Sequence, residues 1–328
     1  MFLLRYSGFA LVALGAAFAS GSAIAQSGVQ TYPNRPLRFI VPYATGGDGD
    51  IVARILAQKL TGQIGQQIVI DNRGGAGGNI GAEFAARAAP DGYSIMLGTN
   101  THVINMSLFS KLGYDIQRDF APVTRTTSAP MVLIIHPSLP AKNIKEFIAL
   151  AKAHPNKLNY ATGGSGSSAH VITELFRSMA GVQLTHVAYK GVAQGTTDLI
   201  AGQIQMQFNS PATALAHMQA GRVRALAIST AARSSAAPGL PTIAESGLPG
   251  FEASIWQGIF VPARTPPEII TRLNREFVAT LNAGDIKEQL RVQGLDSLPS
   301  TPEQFGAYVR EEIAKWAKVI QVSGARAE

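Results

Sequence analysis

Three glycine-rich stretches hold the residues best able to do chemistry: "TGGDGD" (45–50), "GGAGGNIG" (74–81) and "GGSGS" (163–167). Each follows a short apolar run and leads into a helical pattern. A loop of that kind aims backbone N–H groups at an anion. A triphosphate loop would need Gly-x4-Gly-Lys and then Ser or Thr. The first stretch has Asp50 and Ile51 there instead, and Asp48 adds a second repelling charge. In the second stretch Gly75, Gly77 and Gly81 approach a dinucleotide fingerprint, but Ile80 stands where a glycine is required. It also follows the second strand of the pattern, not the first. The third stretch misses the Gly-x-Ser-x-Gly nucleophile elbow because Ser167 replaces the last glycine. His170 is near, yet no acid is marked out as a third member. Two readings of "GGSGS" stay open: a hydrolase using Ser167 or a neighbouring serine, or a loop of hydroxyl and N–H donors. For "TGGDGD" the plain alternative is a tight strand-to-helix turn without a ligand.

The six histidines, at 102, 136, 154, 170, 186 and 217, include no pair at metal-ligand spacing on one helix face. No metal and no cofactor are expected. His102 and His170 sit beside candidate loops; the rest read as core or surface histidines.

The chain has 328 residues, 46% hydrophobic and 15% charged, which favours a well-packed protein of two domains or one large one. Residues 1–25 differ in kind. Arg5 supplies a positive start, "FALVALGAAFA" (9–19) an apolar stretch, and "AIA" (23–25) a small-x-small cleavage site. The apolar stretch is short for a membrane span. A signal peptide cleaved near Ala25 and a periplasmic mature protein are expected. Cysteine is absent, which excludes disulfides, thiolate metal sites and a lipid-anchoring cysteine. The net charge of +7 favours anions. Lys and Arg do not cluster with aromatics, so no nucleic-acid partner is expected. The nearest approach, "HMQAGRVRAL" (217–226), reads as a solvated strand entry.

Periodicity supplies the elements that must position these loops. Strands are expected at 37–41, 66–72 and 94–100, with helices after the first two and Asp50 capping the first helix. The run 122–137 is long for one strand and contains Pro130, so it can leave one sheet and enter another. Alternation then restarts: helices at 143–154, 168–180, 193–201 and 211–220, strands at 158–162, 184–189, 204–208 and 225–229. A turn-rich stretch and a long strand follow within 241–267, then two long helices near 267–282 and 302–322. Two α/β lobes joined by two crossings result, the second inserted into the first. Ligands sit at the carboxyl ends of strands in such sheets, which marks loops 42–50, 98–105, 162–169, 189–195 and 208–212. A carboxylate there gains about 1.5–3 kcal/mol per charge-assisted bond. Three or four bonds, less the ordering cost, give roughly micromolar affinity.

Seven segments in order, among them "YPNRPLRFIVPYATGGDGDIVARILAQKL", "NYATGGSGSSAH" and "LPTIAESGLPGFEASIWQGIFVPARTP", resemble one family over about residues 32–322. It is the periplasmic substrate-binding proteins of tripartite tricarboxylate transporters, the Bug (Bordetella uptake gene) family. The resemblance implies a type II, Venus-flytrap periplasmic-binding-protein fold with two parallel-core sheets and two crossing hinge strands. Lobe 1 would be 26–129 plus 251–328, and lobe 2 would be 130–250. It implies a receptor, not an enzyme, that captures a small carboxylate and delivers it to membrane subunits of a transporter. A membrane sensor is a further partner for such a receptor. Carried onto this sequence, the site takes Tyr43, Ala44, Thr45, Gly46, Gly47 and Asp50, then Thr99 and Thr101 from the third-strand loop. Lobe 2 adds Gly164, Ser165, Ser167, Ser168, Tyr189 and Asn209, with His170 at a family position. Two departures matter. "YATGG" puts Thr45 where relatives carry proline, and Asn209 replaces a frequent Asp, which disfavours a ligand ammonium. Tyr43, Tyr189, His102 and Trp256 are candidates to flank an aromatic ligand. The expected ligand is a di- or tricarboxylate, or an aromatic carboxylate, without an amine.

Overall fold

The computed structural model describes residues 32–164, 167–189 and 191–323. The leader expected over 1–25 and the candidate donor Ser165 lie outside the described residues. The first stretch of chain forms β1 (Leu37–Val41), α1 (Asp48–Ile64), β2 (Ile68–Asn72), α2 (Asn79–Ala86), β3 (Ser94–Thr99), α3 (Asn100–Leu108) and β4 (Phe120–Ala129). Next come β5 (Val132–Ile135), α4 (Ile144–Ala153), β6 (Asn159–Thr162), α5 (Ser168–Ala180), β7 (Thr185–Ala188), α6 (Val192–Ile200), β8 (Met206–Asn209), α7 (Pro211–Gln219) and β9 (Arg224–Ile228). The chain closes with β10 (Ile255–Pro262), α8 (Pro267–Asn282), α9 (Gly284–Val292), β11 (Asp296–Ser297) and α10 (Pro302–Ser323).

These strands make two sheets, ordered β11-β4-β10-β3-β1-β2 and β7-β6-β8-β5-β9. Each has a parallel core, β3-β1-β2 in the first and β7-β6-β8 in the second. Antiparallel pairs extend both: β10 between β3 and β4, and β5 between β8 and β9. The apolar run of β1 reflects cover on both faces, with Phe39, Ile40 and Val41 fully buried. On one side Phe39 meets Phe277 of α8 edge-on at 6.2 Å. Helix α10 packs against α3 and β4 and reaches across to α5, so one core runs through both lobes.

The run 122–137 divides where Pro130 interrupts it. Pro130 has no N–H for a ladder and holds the residue before it extended, so β4 ends in one sheet and β5 begins in the other. The return passage follows β9 and enters β10. Both passages are fastened to Ser229, which is fully buried. Its Oγ accepts from the Met131 N–H at 2.9 Å and donates to the Ala253 carbonyl at 2.5 Å. Its backbone N–H donates to Met131 O at 2.9 Å, and its carbonyl accepts from Ala253 N–H at 2.8 Å.

Register fixes where the loops go. Thr99 lies opposite Gln257, and Ala129 opposite Ile255, so β3 and β4 end beside the start of β10. Val132 lies opposite both Asn209 and Ile228, so β8 and β9 end beside the start of β5. The chain therefore crosses between the same two sheet edges at which the parallel strands end.

Three elements differ from expectation. The region taken as the third-strand loop is α3, and α9 and β11 separate the two long C-terminal helices. Helix α9 buries only Ile286 and Leu290, too few positions to establish a period. Extended backbone at Ala283 breaks it from α8.

Replacing Ser229 by Ala leaves the buried Met131 N–H without its side-chain acceptor. Equilibrium urea unfolding is expected to read a loss of about 1–3 kcal/mol, with Ser229→Thr retaining most of it.

Candidate functional site

Helix α1 begins at Asp48 with Gly47 as its N-cap, and no side chain caps it. Asp50 is thus the third residue of the helix and not the cap that its sequence position suggests. It reaches backward, as the acid of a capping box does. Oδ2 accepts from the Gly46 N–H and from Arg54 Nε, each at 2.9 Å, and Oδ1 accepts from Asn72 Nδ2 at 3.0 Å. Burial works against its charge most strongly, but Arg54, Gly46 and Asn72 together outweigh it and hold the carboxyl below its ordinary pKa. Asn72 also donates to the Tyr43 carbonyl at 3.1 Å. Asp50 therefore shapes the loop from beneath, with its oxygens taken by internal donors.

That leaves a short exposed crest, Ala44, Thr45 and Gly46. Asp50 occupies the Gly46 N–H, and the Gly47 N–H donates to Ala44 O at 3.3 Å. No hydrogen bond among the described residues engages the N–H of Ala44 or Thr45.

The stretch "GGAGGNIG" packs beneath this crest. A Cβ on Gly81 would stand 2.7 Å from Pro42 and from the Arg73 carbonyl. One on Gly78, which has φ +94°, would stand 3.0 Å from His102 Nε2 and 3.4 Å from the Tyr43 hydroxyl. These glycines let two backbones approach, which accounts for them without a cofactor.

Thr99 is the N-cap of α3 and forms a capping box with His102. Its N–H donates to His102 Nδ1 at 3.0 Å, and its hydroxyl lies 2.6 Å from the Tyr43 hydroxyl. Thr101 belongs to the first turn of α3, and its N–H donates to Thr99 Oγ1 at 3.3 Å. His102 is fully buried, and burial pushes its pKa down to about 4. It continues an aromatic series from Tyr43 through His102, Tyr114, Phe120, Phe260 and Phe305 to Trp256. Trp256 is fully buried and donates to Glu312 at 2.9 Å. His102 and Trp256 are core residues, so of the four aromatic candidates only Tyr43 and Tyr189 keep partial exposure.

In the second lobe Ser167 is the N-cap of α5, and its Oγ donates to the Gly164 carbonyl at 2.7 Å. Its described partners are backbone groups and no imidazole. Gly164 has φ +130°, and its N–H donates to Thr162 Oγ1 at 3.3 Å. Ser168 is half-buried in the first turn of α5. The Tyr189 N–H donates to Thr162 O at 3.1 Å, joining the two loops, and the Tyr189 hydroxyl donates to Asp198 at 2.7 Å. Asn209 is buried at the end of β8 and internally bonded: Nδ2 donates to Thr196 Oγ1, and Oδ1 accepts from the Ser210 N–H, both at 2.9 Å. His170 lies under the loop, stacked on His186 at 4.2 Å, and His186 stacks on Tyr160 at 4.9 Å.

The helices that open at the two facing edges differ in their caps. Thr99, Ser167 and Ser210 cap α3, α5 and α7, whereas α1 and α2 in one lobe and α6 in the other have glycine N-caps and no side-chain bond. The uncapped start of α6 at Gly191 and Val192 was not among the candidate residues. Its signal was only a glycine before an apolar helical pattern.

Residues 52–325 match the family model described as "Tripartite tricarboxylate transporter family receptor". The chain belongs to this receptor family. Protein BugT of Bordetella pertussis is 35% identical over 318 residues, 96% of this chain and 98% of that one. The solved structure of R. palustris Rpa4515 with adipate is 36% identical, covers 90% of this chain and 99% of that one, and has a TM-score of 0.73. MatC of Rhodopseudomonas palustris, solved with bound malate, is 32% identical over 88% of this chain and 100% of that one, with a TM-score of 0.69. The receptor therefore has the two-lobed periplasmic-binding-protein fold. No helix among its described residues is long and apolar enough to cross a membrane.

Two expected outcomes follow from the receptor's buried ionisable groups. Asp50→Asn removes the charge that holds Gly46 and Arg54, and denaturant unfolding is expected to read a loss of about 1–2 kcal/mol. Burial first, and the neighbouring His170 second, lower the His186 pKa to about 4; burial lowers His170 too, against the pull of Glu174. The unfolded chain then takes up protons first as pH falls. The stability from the neutral stack is complete above about pH 6.5 and is lost as pH falls toward about 4. His186→Phe keeps a stacked ring without a titrating group. Melting temperatures measured from pH 7 to 4 should fall less steeply for it than for the parent.

Proposed function

We propose that this receptor captures a small carboxylate between its two lobes and delivers it to the membrane subunits of a tripartite tricarboxylate-type transporter. The observation that carries the reading is the strand register. The parallel strands before the Ala44–Gly46 crest and before the second-lobe loops end at the same sheet ends between which the chain crosses, which supports this reading. In this reading lobe 1 comprises 26–129 with 251–328 and lobe 2 comprises 130–250. Closure turns on the two crossings. Residues 1–25 act as a signal peptide cleaved near Ala25, and the mature receptor works in the periplasm.

One carboxylate of the ligand meets the free N–H groups of Ala44 and Thr45, the Thr45 hydroxyl and the uncapped start of α1. The other end meets lobe 2 at Gly164, Ser168 and Tyr189 and the uncapped start of α6, and Ser165, outside the described residues, is expected to join them. Asp50, Thr99, Thr101, Ser167, His170 and Asn209 hold these groups in place. The adipate and malate bound by solved relatives support a dicarboxylate. With Asn209 bonded internally and no acid at that position, nothing there would pair with an amine, and we read the ligand as carrying none. Tyr43 and Tyr189 admit an aromatic ring. We read the protein as a receptor and not an enzyme: the Ser167 hydroxyl donates to a carbonyl as a helix cap does, which is not the setting of a nucleophile.

A thermal-shift screen over aliphatic, aromatic and amino carboxylates checks this. Stabilisation is expected from one or more di-, tri- or aromatic carboxylates, with the ligand recovered unchanged. Stabilisation by aspartate or glutamate alone would overturn the ligand class. Turnover of a stabilising ligand, lost in Ser167→Ala, would overturn the receptor reading in favour of a hydrolase.

A further inference from the structure

Behind the crossings, at the β11 edge of the first sheet, lies a cavity of about 720 Å³ that the proposed carboxylate site does not use. Its wall is formed by β4, α9 and the segment just before β10, together with the segment just after β9, which in the proposed division is the one contribution of lobe 2. Four cationic side chains line it, Arg125, Arg233, Lys287 and Arg291, against the acids Glu252, Glu288 and Asp296.

The pairing among these groups is uneven. Glu252 is bound by Lys315 at 2.7 Å, Glu288 by Arg291 at 2.7 Å, and Arg233 pairs outward with Glu245 at 3.1 Å. Asp296 accepts from the hydroxyls of Ser234 and Ser235, both at 2.5 Å, which ties the segment after β9 to β11. Arg125 and Lys287 have no carboxylate partner among the described residues. The Arg125 guanidinium lies 4.1 Å over the Tyr308 ring, which fixes its plane, and Nη2 makes one long bond of 3.3 Å to Ser254. Its Nε is buried with no partner among the described residues. A guanidinium held flat by a ring at a cavity wall, with no hydrogen bond to Nη1 among the described residues, is preorganised to meet an oxyanion. Lys287 adds a second charge from the exposed side of α9.

We propose that this cavity is a second anion site, for a small oxyanion bearing a carboxylate or phosphate group, held by Arg125 and Lys287 behind the crossings. An occupant there touches both lobes at a place distinct from the cleft that takes the transported ligand.

Isothermal titration at low ionic strength tests it, with inorganic phosphate in one arm and succinate in the other. Wild type, Lys287→Gln and Arg125→Gln are compared. At least one anion is expected to show a binding event in the wild type that weakens about tenfold in each variant, the loss of one charge-assisted bond. The arm in which the event is lost identifies the oxyanion. Lys287→Gln alters only an exposed side chain, so it reports even where Arg125→Gln disturbs the Tyr308 packing. No binding of either anion by the wild type, or equal affinity in Lys287→Gln, overturns the proposal.

Discussion

Both passages of the chain between the sheets depend on one buried hydroxyl. At a crossing the backbone leaves one ladder before it joins the next, so its N–H and carbonyl groups would lose partners away from water. A serine serves such a point because its hydroxyl donates once and accepts as well. Ser229 uses both capacities, toward Met131 and Ala253, and adds its own N–H and carbonyl to the same two residues. The two passages are thereby held side by side. In the proposed closure about the two crossings, bonds at the crossings would change little in length, so this clasp would persist.

The first-lobe loop solves a related electrostatic problem. It is read as an anion loop, yet it carries Asp48 and a buried Asp50. The Asp50 charge faces inward, where Arg54, Asn72 and the Gly46 N–H answer it. It consumes one loop amide and orients the others. Among the described residues the crest's own free donors then number fewer than the glycine pattern suggests, and they belong to Ala44 and Thr45, whose side chains drew less notice than the glycines beside them.

The order of elements was legible because apolar runs alternate with helical periods, and Pro130 marked the change of sheet. The antiparallel places of β5 and β10 were not legible, since periodicity reports burial and carries no strand direction. Site residues divided in the same way. Glycine loops announced themselves by composition. Whether a side chain faces ligand or core did not, because a polar residue beside a loop serves either end. Asn209, Ser167 and Thr99 turned out to be caps and struts, and His102 and Trp256 lie in a continuous aromatic core. "GGAGGNIG" shows the same ambiguity. Its glycines permit close backbone approach, and a nucleotide or a neighbouring strand end can use that freedom equally.

Charge placement separates the two proposed anion sites. Apart from Lys190, outside the described residues, the candidate cleft loops contain neither lysine nor arginine. A carboxylate there must be held by N–H groups, hydroxyls and helix ends. Such donors are neutral and short-ranged, and they act only where they converge on one oxygen. In the proposed mode, convergence of donors from two lobes would require closure, so binding and closure would become a single event. The cavity behind the crossings is built the other way, with full charges on Arg125 and Lys287 that act at a distance and weaken with salt. In the proposed cleft, a carboxylate held only by neutral donors of the described residues would be released by opening, since among those residues no lysine or arginine of the cleft loops would retain it.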